Sequence, residues 1–99
     1  MAQAVIFQIP ATAMINFYAQ DPVVAAKEFA ANDSYEAVFA VPTKLTGEAA
    51  AEDLFDLSNN PNRQEERSRL WAHRSLSVGD VVHVNLESWL CCSSGWTKL

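Results

Sequence analysis

YEAVFAVP, Tyr35–Pro42, is the run on which the fold turns. Its residues alternate, with Tyr35, Ala37, Phe39 and Val41 on one side and Glu36, Val38 and Ala40 on the other. That is the two-residue period of a strand and not the 3.6-residue period of a helix. After Glu36 both sides are apolar, which predicts a strand interior to a sheet. Helices flank it. Upstream, Asp21-Pro22 is a helix start: the Asp carboxylate caps free N–H groups, and Pro sits where its missing N–H costs nothing. VVAAKEFAA continues that helix, with Val23, Ala26 and Ala30 on one face and Phe29 beside them, and Asn32-Asp33-Ser34 stops it. Downstream, Thr46 is the expected cap of GEAAAEDLFDLSN. There Ala50, Leu54 and Leu57, with Ala51 and Phe55, form the stripe to be buried, and Asn59-Asn60-Pro61 ends the helix.

The remaining strands are shorter. AVIFQI, Ala4–Ile9, is β-branched and aromatic and ends at Pro10, which cannot donate to a ladder. VVHVNLESWLCC reads as two strands around a tight turn at Asn85–Ser88. MINFYAQ, Met14–Gln20, fits a short strand and a helical turn equally. Two amphipathic helices each need a sheet face to bury against. The expected architecture is therefore α+β in one domain, residues 1–99. A small antiparallel or mixed sheet of four to five strands (4–9, 35–41, 80–85 and 88–92) carries two main helices, 22–31 and 47–58. Leu54 belongs to its core.

Composition narrows the function. The chain has 99 residues, 49% apolar and 19% charged, values of a globular protein able to bury one modest core. A net charge of −5 argues against coating nucleic acid or an anionic membrane by bulk electrostatics. Cys91 and Cys92 are adjacent, and a vicinal disulfide is strained, whereas metal sites want spaced Cys and His. Free thiols, no metal and no cofactor are the expectation. No apolar run approaches the ~18 residues of a membrane span, and MAQAVIFQIPATA lacks the basic start of a signal peptide. A cytoplasmic protein is expected.

Charge is unevenly placed along the chain. PNRQEERSRLWAHR holds four of the seven basic residues, Arg63, Arg67, Arg69 and Arg74, whereas Met1–Asn62 carries eight acids against Lys27 and Lys44. Gln64–Leu70 contains good helix formers, and Arg63 and Glu66 fall on neighbouring turns. Arg guanidinium groups offer forked donors to carboxylates and phosphates, and Trp71 and Trp96 can serve as aromatic anchors. The candidate binding residues are therefore Arg63, Arg67, Trp71, Arg74 and Trp96. The function that follows is a non-enzymatic protein- or anion-binding module, with an unknown protein as the expected partner. One alternative is a nucleic-acid-binding accessory protein that uses the arginine segment 63–74.

The other alternative is a small hydrolase-like enzyme, and it rests on HRSLSVGDVVHV, His73–Val84. Ser77 or Ser75 would need His73 or His83 as base, or Asp80 would act as general base with Arg74 holding an anion. Turn chemistry accounts for the same residues: Gly79 supplies a positive φ, Asp80 caps the turn, and a serine ahead of it bonds backbone. His83 would face away from Val82 and Val84, half exposed. There is no nucleophile-elbow sequence and no glycine-rich phosphate cradle, so no catalytic residue is assigned.

RSLSVGDVV (Arg74–Val82), with SSGW (Ser93–Trp96) behind it, FDLSNNP at a helix end and a central YE-x-V strand, resembles the YodL-like domains. These are small domains of proteins encoded by bacterial mobile elements, phages and plasmids. The resemblance runs from Tyr35 onward. It implies a shared fold and a bacterial or phage-related, cytoplasmic setting tied to a mobile element, and it carries no catalytic residue with it.

Overall fold

The structure, a computed structural model, describes residues 2–71 and 74–99; the side chains of Ala11 and Phe39 are likewise outside the description. Strand β1 (Ala2–Gln8) leads through a 3-10 turn to helices α1 (Met14–Tyr18) and α2 (Pro22–Ala31). Then come β2 (Glu36–Thr43), α3 (Gly47–Asn59), a second 3-10 turn, α4 (Gln64–Leu70), β3 (Val81–Val84), β4 (Glu87–Cys92) and β5 (Gly95–Lys98). The strands form one antiparallel sheet in the order β2-β1-β3-β4-β5. The α+β class holds, and α2 and α3 are the two larger helices. MINFYAQ resolves as the short helix α1, and the arginine segment supplies α4.

The sheet separates two cores. On one face Ala4, Ile6, Val41, Val82 and Val84 pack with Ala50, Ala51, Leu54 and Leu57 of α3. On the other, Val81 and Leu90 pack with Phe17 of α1 and with Ala25, Ala26 and Phe29 of α2. Adjacent residues Val81 and Val82 thus serve opposite layers, as a pleated strand requires. The α2 contact face is rotated from the expected one: Ala25, Ala26 and Phe29 are buried, while Ala30 is exposed. Asp21 caps α2 as expected, its Oδ1 accepting from Val23 N at 3.0 Å and Val24 N at 3.4 Å.

Four further expectations are corrected. β2 is an edge strand, paired only with β1, so Ala37 and Ala40 are exposed. Pro42 suits that edge, where its missing N–H breaks no ladder. A register shift between Ile6 and Phe7 pairs Ile6 with Phe39 and Phe7 with Ala37, leaving Val38 as the extra residue of a β-bulge. The bulge breaks the alternation, so Tyr35 packs in the α2-side core and Val41 in the α3-side core. Thr46 makes no side-chain cap on α3, which instead enters through Gly47 at φ 59°. The last turn is tighter than expected: Asn85 (φ 51°) and Leu86 (φ 65°) alone join β3 to β4, and Ser88 lies in β4.

Candidate functional site

The arginine segment is drawn onto the rest of the molecule. The Arg63 Nε donates to Glu66 Oε1 at 2.9 Å and Nη2 donates to Oε2 at 3.0 Å, a fork-to-fork pair. Its Nη1 reaches back to Asp53 Oδ1 at 2.9 Å and Asp56 Oδ2 at 3.0 Å on α3. The bond from Glu66, then that from Asp56, holds the guanidinium above its ordinary pKa, and Arg63 in turn pulls the Glu66 carboxyl below the usual range. Arg67 Nη1 donates to Leu57 O at 3.1 Å and Asn60 O at 2.9 Å. Those carbonyls lie at the C-terminal end of α3, where no further helical turn supplies N–H donors, and the guanidinium caps them.

Arg74 closes a second junction. Its Nη1 and Nη2 donate to Asp80 Oδ2 at 2.7 Å and Oδ1 at 2.8 Å, and Nη2 also reaches Ile9 O at 3.3 Å. Asp80 is 0% exposed and accepts further from Ser77 N at 3.0 Å and Ile9 N at 3.4 Å. The turn around Gly79 is also tied from above, by Tyr18 Oη to Val78 O at 2.6 Å and Tyr35 Oη to Gly79 O at 2.7 Å. Burial foremost, and then the Asp80 charge, raise both phenols above their usual pKa, so both stay donors. Trp71 is buried, with its indole Nε1 donating to Arg74 O at 2.9 Å. Trp96 is half-buried and meets Phe55 edge-on at 6.4 Å.

The five candidate residues are therefore distributed around α3. Arg63 and Arg67 sit at its C-terminal half, Trp96 lies against Phe55, and Trp71 joins Arg74 beside the end of β1. Each makes contacts that organise the fold. The serines are engaged as well: Ser75 Oγ donates to Ser58 O at 2.8 Å and Ser77 Oγ to Ser75 O at 3.2 Å. His73 lies outside the described residues. His83 is half-exposed as expected, but its Nδ1 meets Ser88 Oγ at 2.9 Å, a pairing the sequence reading missed. Once Asn85–Leu86 is recognised as a two-residue turn, positions 83 and 88 fall opposite each other, which was the available signal.

Cys91 is buried and Cys92 half-buried, both free thiols. Burial first, then the Asp80 charge, pushes the Cys91 thiol up to about 12. Among the described residues, no three His, Cys, Asp or Glu side chains are grouped to hold a metal, and no helix is long and apolar enough to cross a membrane. Comparison with protein-family models, curated proteins and solved structures returns no match.

Proposed function

We propose that the chain is a non-enzymatic binding module whose partner is a protein with a basic surface, met on the outer side of α3 and α4. The carrying observation is the Arg63 cluster. One guanidinium lies among Asp53, Asp56 and Glu66, so the charge that would attract a phosphate is already matched by three carboxylates. Arg67 turns inward to the carbonyls at the end of α3. The charged side chains that these two helices expose are mainly acidic, Glu48, Glu52 and Asp56 on α3 and Glu65 on α4 against Arg69. Such a surface complements lysine and arginine on a partner and repels nucleic acid, which favours a protein over an anionic ligand. The resemblance to the YodL-like domains would place that partner within the biology of a bacterial mobile element.

The test is affinity capture from the host, comparing the wild-type chain with a Glu52→Lys/Glu65→Lys variant. Both side chains are exposed, so the fold tolerates the exchange. The expected result is a partner that survives nuclease treatment and is lost from the variant. A partner retained undiminished by the variant overturns the chosen surface, and one released by nuclease moves the function to nucleic-acid binding.

A further inference from the structure

The two faces of the sheet are covered unequally. α3 lies along one face, whereas on the other α1 and α2 gather around Phe7, Val81 and Leu90. On that second face Val5, His83 and Ser88 are half-buried and Ala40 is exposed. At the border between the covered and open parts lies a pocket of about 180 Å³. Phe7, Val81 and Ser88 of the sheet, Ala30, Asp33 and Tyr35 around α2, and Leu99 after β5 line it.

The lining is held in place. The Tyr35 ring stands edge-on to Phe17 at 6.4 Å and to Phe29 at 6.1 Å, while its hydroxyl is fixed on Gly79 O. Ser88 Oγ is oriented by the cross-strand bond to His83 Nδ1. Asp33 terminates α2 at φ 55°, its N–H closing onto Ala30 O at 3.2 Å. The Tyr35 ring and the Ser88 hydroxyl are thus already oriented to receive a ligand, which keeps the cost of binding low.

Size and charge then define what fits. An apolar cavity of ~150 Å³ holds one benzene ring, so this pocket suits a single ring with a short substituent. Phe7 and Tyr35 offer aromatic surfaces for edge or offset contacts with it. Asp33 is the charged side chain among the described lining residues, and it sits at the C-terminal end of α2, where the helix dipole is negative. Both attract a cation. Ser88, oriented by His83, adds a hydroxyl that can accept from an N–H group. We propose that this pocket binds a small arylalkylamine, with its ring between Phe7, Tyr35 and Val81 and its ammonium at Asp33. The site lies across the sheet from α3 and is independent of the protein-binding surface.

Phenethylamine is a suitable probe, followed by ¹H–¹⁵N chemical-shift titration of the full chain. A probe of about nine heavy atoms at the low end of ligand efficiency dissociates at about 10 mM. The amides of Phe7, Ala30, Asp33, Tyr35, Val81 and Ser88 should shift and saturate in that range. Phenylethanol should bind about five-fold more weakly and phenylpropionate more weakly still, since an accessible ion pair is worth about that factor. Asp33→Asn should bring the amine down to the alcohol's affinity while ring binding persists; asparagine tolerates the positive φ. Ala30→Phe, on an exposed helical position, should fill the pocket and abolish every shift there. The proposal is overturned if the amine and the carboxylate bind equally, if the shifts centre elsewhere, or if Asp33→Asn leaves the amine preference intact.

Discussion

Replacing Arg74 with alanine removes the cation from a carboxylate that is 0% exposed. Breaking a buried ion pair from one side costs ~3–5 kcal/mol, because the surviving charge stays out of water without its partner. Two features place this pair at the lower end. The Arg74 side chain is 34% exposed, so water enters the space it vacates, and Asp80 keeps the Ser77 N–H at 3.0 Å. About 3 kcal/mol is therefore expected, against a total stability of ~5–15 kcal/mol for a chain of this length. With a urea m-value of ~1–3 kcal/mol/M, the midpoint of unfolding should fall by ~1–3 M. Circular dichroism in urea reads this directly. Asp80→Asn and the double variant complete a cycle in which the two losses should overlap by ~1–3 kcal/mol. Additivity within ~0.5 kcal/mol, or an unmoved midpoint for Arg74→Ala, would refute the pair as a fastening between the turn and the end of β1.

Other outcomes follow from the same packing. Leu54→Ala, at a side chain 1% exposed beneath α3, should cost on the order of 2–4 kcal/mol in a denaturant titration. Gly79→Ala should also cost on the order of 2–4 kcal/mol, since its Cβ would lie 2.4 Å from Ile9 Cδ1 at a φ of 99°. Leu86→Gly should instead stabilise by about 0.5–1 kcal/mol, because a 95% exposed leucine at φ 65° gives up backbone strain that outweighs glycine's added chain entropy. At pH 8 a disulfide exchange reagent should label Cys91 only after unfolding. The thiol, pushed up to about 12 in the folded chain, also implies stability that is complete below about 9 and declines as pH rises from there through about 12.

Local chemistry was legible and partner choice was not. Asp21-Pro22 announced α2 because capping and the proline ring act within one turn, and the structure places both there. Gly79 and Asp80 were read as turn residues, and Asp80 does accept from Ser77 N. Two failures were local, the Thr46 cap and the length of the Asn85–Leu86 turn, and the others share a cause, since each depended on a residue distant in the chain. Whether Tyr35–Val41 is interior or edge is decided by which strands lie beside it, and its apolar Ala40 faces solvent all the same. The bulge that sends Tyr35 and Val41 to opposite faces arises in the pairing with β1 and leaves no trace in composition. At the candidate site the concentration of arginines was visible, but their acceptors were not. Asp53 lies ten residues before Arg63, and Arg74 and Asp80 are six apart across an irregular loop, outside any helical or strand period. Trp96 to Leu99 showed no strand pattern, yet β5 forms there because β4 offers it a free edge.

The strand order has a consequence during synthesis. β3, β4 and β5 are contiguous in sequence, joined by turns a few residues long, and can close on one another quickly. β1 is different: it lies between β2 and β3, and its pairing with β3 joins Val5 to His83 across most of the chain. A ribosome releases β1 and β2 as a two-stranded ribbon long before β3 emerges, with Val5, Ile6 and Phe7 presenting an open ladder edge. At ~5–20 residues per second, that edge waits several seconds for its proper neighbour. The interval is when this chain is most open to pairing with another copy of itself, and the proline of β2 guards only the opposite side of the ribbon.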